Sequence, residues 1–367
     1  MKYHFCTYFD SNYLMYGYTL FRSLKRTGID FTLYVCCLDE PVYDHLLVLN
    51  HEEIIPIRLA DIEFWDPAFA ACKENRTRVE YYFTLSPVLP LYILAHYSGI
   101  DILAYLDSDL YFFSSPEKLY QVLGGKSLLI VKHDYYPAPH FYECVKISGK
   151  YNMAFQLYRN DAVGVACLRH WRQECLDWCH DYFEDGKFAD QKYLEEWPEK
   201  FDAVVCPTDI GAGLAPWNCG MHQFDFAGAD VPTVDGVPLI YYHYQGTKMV
   251  GRGMMLISTK PDIFYIGTEI HDRLYGKYYN ELTTTVRYLR NFKNIAAESV
   301  YRFAREKKCS ADTKSPWYKI WQRYLKKLPW LFSGLLAFHG KRYFAFTYSI
   351  EKAVYFASLK RLEKRQI

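Results

Sequence analysis

The sequence predicts an α/β fold with a mostly parallel central sheet flanked by helices, and three observations predict it. Strand-length runs of aromatic and β-branched residues alternate with helix-length stretches through the first 180 residues. Strand, helix, strand and helix in that order imply parallel pairing with both sheet faces covered. At 367 residues and 43.4 kDa the chain can bury a large core.

In chain order, Tyr3 to Phe9 reads as the opening strand, DSNY follows, and a helix runs from about Leu14 to Lys25. Phe31 to Leu38 is the second strand, ending at Asp39-Glu40, and EEIIPIRL (52–59) gives a short third. After a polar and aromatic interval, Pro87 to Tyr97 reads as a helix and Ile102 to Leu106 as the next strand. Leu128 to Val131 is a strand that ends at Lys132-His133-Asp134, Tyr151 to Leu157 is another, and Ala162 to His180 is helical. DIGAGLAPWNCG (209–220) is too rich in Gly and turn formers to be regular. LIYYHYQG (239–246) is an aromatic strand delivering His243 to a loop.

Composition narrows the function. Eleven cysteines are scattered without a repeated CxxC or a Cys/His cluster, which argues for buried thiols in a reducing compartment over a disulfide framework or structural zinc. The N-terminal MKYHFCTYF reads as a strand and not as a secretory signal. No segment reaches the roughly eighteen apolar residues that span a bilayer. The expectation is a cytoplasmic protein, with attachment to the inner membrane face open. Net charge is +1, unevenly spread: residues 299–367 hold sixteen Lys and Arg against four Asp and Glu, a net +12, leaving the preceding 298 residues at −11. An acidic body argues against general nucleic-acid binding, while the basic tail asks for an electrostatic partner.

Chemistry concentrates at strand ends, where ligands of such sheets bind. In YLDSDLYFF (105–113) two carboxylates interrupt an apolar run. Asp107 and Asp109 either serve a turn at Ser108 or converge to hold a hard divalent cation, whose shell phosphates commonly complete. In FADQKYLEEWP, Asp190 and Gln191 either cap or begin the next helical piece or stand as companions to that pair. His243 is either a structural strand-end histidine or a third cation ligand.

These pieces in this order resemble the metal-dependent, retaining glycosyltransferases related to glycogenin and bacterial galactosyltransferases, glycosyltransferase family 8. Their nucleotide-sugar fold is called GT-A. The resemblance covers roughly residues 1 to 250, and what it implies is a UDP-sugar donor with Mn²⁺ or Mg²⁺. Thr7, Asp10 and Tyr13, in TYFDSNY, would lie near uracil and ribose. Asp107 and Asp109 match the acidic metal motif, and Asp107 would also approach the donor. Asn152, in YNMAFQLYRN, falls where relatives have FNSGV and the asparagine meets the donor sugar. Asp190 and Gln191 match the start of the DQD motif that brackets the transferred sugar. Asn218 in PWN resembles the later donor loop, and His243 with Gly246 in HYQG the HFxG metal motif.

Two departures accompany the matches. Phe83 follows Tyr81-Tyr82 where the family often has arginine, leaving Arg76 or Arg78 to approach the donor. Met249 stands where a lysine is expected, with Lys248 one position early.

Beyond the catalytic domain (1–250) lie a linking region packed on it (251–298) and a basic, aromatic, helical extension (299–367). Ser315-Pro316 is a helix start. Trp317, Ile320, Trp321, Tyr324, Leu325 and Leu328 then recur at helical spacing, with Lys319, Arg323, Lys326 and Lys327 between them. Residues 317–328 either pack on the body or lie in an anionic membrane surface. The expected activity is sugar transfer from a UDP-sugar to a saccharide or lipid-linked glycan acceptor, as in surface polysaccharide synthesis. Two alternatives stand beside it. One is an inverting GT-A enzyme with Asp134 or Asp190 as base, and the other is a non-catalytic saccharide-binding protein whose donor site has decayed.

Overall fold

The computed structural model describes residues 2–136, 139–208, 210–227, 231–251, 254–257 and 266–291. The expected helix at 317–328 lies outside the described residues. The described residues divide into two compact units, one of those up to 245 together with 280–291 and one of those between 246 and 279.

The first unit is built on a mixed sheet. Its elements are β1 (Tyr3–Phe9), α1 (Leu14–Arg26), β2 (Phe31–Cys37), α2 (Glu40–Leu49), β3 (Ile54–Arg58), α3 (Arg78–His96), β4 (Ile102–Leu106), β5 (Leu110–Phe112), β6 (Leu128–Lys132), β7 (Tyr151–Arg159), α4 (Ala162–Asp177), β8 (Val204–Val205) and β9 (Tyr241–His243). The seven-stranded sheet has the order β3-β2-β1-β4-β7-β6-β8. Pairing is parallel except on both sides of β7, which runs antiparallel to β4 and β6. With helices flanking the sheet, this is the GT-A architecture that the resemblance implies.

One helix begins elsewhere than the sequence pattern suggests, and another, α2, has no counterpart in the sequence reading. α3 starts at Arg78, nine residues ahead of the expected Pro87, because Thr77 and Glu80 form a reciprocal capping box. Pro87 and Pro90 lie inside it. Proline has no N–H to give the carbonyl four residues back, so the pattern alone argues for a start there and not for an interior. α2 has its own signal, Asp39 accepting from the Val42 N–H at 3.2 Å with proline in the first turn.

α3 and α4 pack on one sheet face, where Trp171, Trp197, Tyr105 and Tyr158 are fully buried. On the other side Phe31 meets Phe5 edge to face and the α1 residue Phe21 at a tilt. The C-terminal part of the helix Gly276–Leu289 closes against α1 through Arg26–Glu281 (2.5 Å), Thr19–Thr285 (2.8 Å) and a stacked Tyr18–Tyr288 pair. Ten cysteines among the described residues are free, eight of them buried.

The second unit contains the two-stranded ribbon of Lys248–Gly251 and Met254–Leu256, where Lys248 pairs with Leu256. Gly246, at φ 75°, takes a left-handed turn just before it, and the Thr247 hydroxyl donates to the Ile257 carbonyl at 2.9 Å.

Candidate active site

The sheet topology decides which residues meet. β1, β4 and β6 all end at one edge, delivering Asp10, Asp107 and His133 as the next residue of each. Because β7 is antiparallel to β4, its first residues reach that same edge: Phe155 pairs with Leu106, so Asn152 lies three residues beyond. β9 pairs antiparallel with β5 and sets His243 opposite Leu110, beside Asp109.

The turn at Ser108 makes the two aspartates converge. The Leu110 N–H donates to the Asp107 carbonyl at 3.2 Å, and the Tyr244 N–H to the Asp109 carbonyl at 3.0 Å. His243 Nε2 then stands 3.1 Å from an Asp109 oxygen and 3.9 Å from an Asp107 oxygen. One ligand atom from each of the three residues lies within 4.8 Å of the others. His243 is buried, the carboxylates are partly open, and this donor set of two hard oxygens and an imidazole fits a divalent cation. Burial and the charge of Asp109 push the Asp107 carboxyl up to about 6, against the opposing pull of His243. Burial lowers the His243 pKa, but Asp109 and Asp107 outweigh it and leave the ring above its ordinary value. A bound cation would relieve the repulsion between the two carboxylates and take the place of the proton that they favour on the ring.

Asp190 lies behind this cluster as a buried carboxyl whose Oδ2 has no hydrogen-bond partner among the described residues. It is not a helix cap: the short 3₁₀ turn Lys192–Glu196 begins after Gln191 without any side-chain cap. Burial pushes its pKa up to about 7, the Ser86 hydroxyl pulls the other way, and Asp107 adds to the rise. Its backbone is fixed by Trp171, whose indole N–H donates to the Asp190 carbonyl at 2.7 Å. The preceding Ala189 has φ 48° while buried, a left-handed conformation that costs a residue with a side chain about 1 kcal/mol.

Asn152 and Gln191 face each other, with the Asn152 amide 3.5 Å from Gln191 Oε1, and Gln191 Nε2 donates to the Ser148 carbonyl at 2.8 Å. Asn218 spends its amide on its own loop. It donates to the carbonyls of Gly213 (2.8 Å) and His133 (3.0 Å) and accepts from the Ala215 N–H (2.9 Å). Gly213 makes that loop possible: at φ 79°, any Cβ there would stand 2.5 Å from a Val131 methyl.

At the β1 edge, Asp10 accepts from the N–H groups of Asn12 and Tyr13 and binds Arg78 at 2.5 Å. Arg78 is thus the one of the two candidate arginines that reaches this edge. Arg76 instead meets the Leu176 carbonyl and His180. Thr7 is buried in β1 with its hydroxyl unpartnered among the described residues, and Tyr13 is exposed at the same edge. Gly246 and Lys248 belong to the second unit.

Sequence reasoning left out Tyr8, Ser86, His133 and Trp217. Tyr8 and Ser86 share a hydrogen bond of 3.1 Å, and the Trp217 ring lies edge-on to both His133 and His243, at 5.2 and 5.4 Å. His133 carried a usable signal, since it follows a strand that ends at the same edge as Asp107. Ser86 carried none, being one serine within a helix.

No family model matches the chain. It is 30% identical over 250 residues to the uncharacterised protein YfnD of Bacillus subtilis (strain 168), covering 68% of this chain and 79% of that protein. It is 28% identical over 250 residues to the uncharacterised YfnF of the same organism, covering 67% and 82%. Among solved structures it is similar to the galactosyltransferase LgtC in complex with donor and acceptor sugar analogs (TM-score 0.49, 15% identity, 77% of this chain and 96% of that one). It is also similar to mouse xyloside xylosyltransferase 1 (TM-score 0.42, 18% identity, 67% and 98%).

Proposed function

The chain belongs to the family of the Bacillus subtilis protein YfnD, and from that premise we propose that it is a metal-dependent, retaining glycosyltransferase. Its donor is a UDP-sugar and its acceptor a saccharide or lipid-linked glycan, as in surface polysaccharide synthesis. One observation carries this reading: Asp107, Asp109 and His243 converge at the sheet edge where Asp10, Asn152 and Asp190 also arrive.

Asp107, Asp109 and His243 would hold Mn²⁺ or Mg²⁺, which would supply Lewis acidity for the departure of a nucleoside diphosphate. The protein's own groups do the rest. Asp10, steadied by Arg78, presents a fixed carboxylate to the nucleoside, with Thr7 and Tyr13 beside it. Asp190 has an unpartnered oxygen and a pKa near neutrality, so it accepts from or donates to a sugar hydroxyl. Asn152 and Gln191, already joined, orient the sugar while positive charge grows at its anomeric carbon. Gln191 is a weak nucleophile with no activating base, which favours attack by the acceptor from the departing side. Asn218 shapes the donor loop.

The experiment is a donor screen. UDP-hexoses are incubated with the protein and Mn²⁺ or Mg²⁺, and hydrolysis and transfer to a glycan panel are followed by NMR. An α-linked donor should yield an α product only with metal, and Asp109→Ala should lower turnover at least about 100-fold. A β product would reject retention and return Asp134 or Asp190 to the role of base. Metal-independent turnover, or none with any donor, would reject the reading itself.

A further inference from the structure

His133 is buried, follows β6 directly, and has both ring nitrogens occupied. Nδ1 is 2.9 Å from the Gly149 carbonyl, which can only accept, so Nδ1 carries the proton. Nε2 is therefore an acceptor, and the Asn152 side-chain nitrogen, 3.1 Å away, donates to it. The Asn152 oxygen in turn accepts from the Ala154 N–H at 2.9 Å, and the second amide hydrogen points to Gln191 Oε1. The whole set reads in one direction, with each group in the only role its neighbour leaves open. Reversing the Asn152 amide would set its oxygen against the Nε2 lone pair and its NH₂ against the Ala154 N–H.

We propose that His133 is a positioning residue for the sugar subsite: as the neutral Nδ1–H tautomer it locks the Asn152 amide, and through it Gln191, in the orientation that meets the transferred sugar. This rests on the glycosyltransferase reading. A protonated ring would present N–H to N–H and break the lock, and burial opposes that, lowering the His133 pKa to about 3. The same residue's backbone carbonyl takes hydrogen bonds from Trp217 (2.7 Å) and Asn218 (3.0 Å), so the loop and the sugar-facing amides share one anchor.

Two substitutions separate positioning from a merely structural part. His133→Asn keeps a donor where Nδ1 reaches Gly149 but removes the acceptor for Asn152. His133→Gln places an acceptor near Nε2 and gives up the Gly149 bond. Positioning predicts that His133→Asn loses about 10- to 100-fold in turnover of the preferred UDP-hexose, while UDP affinity with Mn²⁺ stays at the wild-type value. His133→Gln should stay within about fivefold. The reverse order, or a loss of UDP affinity parallel to turnover, would overturn the proposal. Long-range ¹⁵N spectra of the wild type should show a neutral Nδ1–H ring from pH 8 to pH 5, and an Nε2–H or charged ring would overturn the lock whatever the enzyme does. Wild-type protein that shows the expected tautomer but binds no UDP in Mn²⁺ would instead overturn the glycosyltransferase reading, and His133's role in sugar binding with it.

Discussion

Asp190 is a carboxyl folded into a place that resists its charge. Burial and Asp107 raise its pKa from 3.8 to about 7, so its favourable share of stability is present below the unfolded pKa and is lost as pH rises through 7. Asp190→Asn removes that burden. In chelator, the variant should melt above the wild type at pH 8 by a few degrees, and by less at pH 5. The same variant should lose sugar turnover, a trade of stability for function. A melting difference independent of pH would show that the buried charge is not the cause. Asp107, raised to about 6, gives a second pH effect: affinity for Mn²⁺ should fall as pH drops through 6, because a protonated carboxyl is a poor ligand.

α3 presents its first turn to two tasks. Glu80 closes the capping box at Thr77 and also accepts from the Asp181 N–H (3.0 Å) and pairs with His180 (3.2 Å). Burial would raise its pKa, but these hydrogen bonds outweigh it and lower it from 4.5 to about 2. Its stabilisation is therefore present above the unfolded pKa and fades as pH falls toward 2. Glu80→Gln should cost on the order of 2 kcal/mol at pH 7 in urea unfolding, and the gap should close by pH 2. In the 209–220 loop, Gly213→Ala should destabilise by about 1–3 kcal/mol through its left-handed φ and its contact with Val131. Gly28→Ala, with φ 75° and open space, should cost only the backbone share. Equal losses would remove the steric argument for Gly213. Strands and metal-motif residues were legible because each carries a local signal: apolar runs rich in aromatic or β-branched residues for β1, β2 and β4, and carboxylates in apolar surroundings for Asp107 and Asp109. The start of α3 was hidden by Pro87 and Pro90, which normally mark boundaries. The place of His133 at a strand end was legible, but its bond to Asn152 arises from the antiparallel insertion of β7, and the Tyr8–Ser86 contact from the packing of α3, which no local spacing encodes.

Across the whole molecule, one sheet edge gathers acids, amides and a buried histidine from segments separated by more than two hundred residues. Among the described residues no helix is long and apolar enough to cross a membrane. The net +12 of residues 299–367 predicts attraction to anionic surfaces. Each Lys or Arg brought near such a surface would contribute about 1 kcal/mol. Full-length protein should sediment with anionic vesicles and release in salt, and equal recovery on neutral vesicles would reject that attachment. The acidic edge is tested by calorimetric titration of UDP into wild type and Asp109→Ala, each in Mn²⁺ and in chelator, with thermal melts confirming that both are folded. The wild type should bind UDP only with Mn²⁺, and the folded variant should lose at least about 100-fold in affinity. UDP affinity that is the same in both proteins, with and without metal, would contradict a cation site built from Asp107, Asp109 and His243.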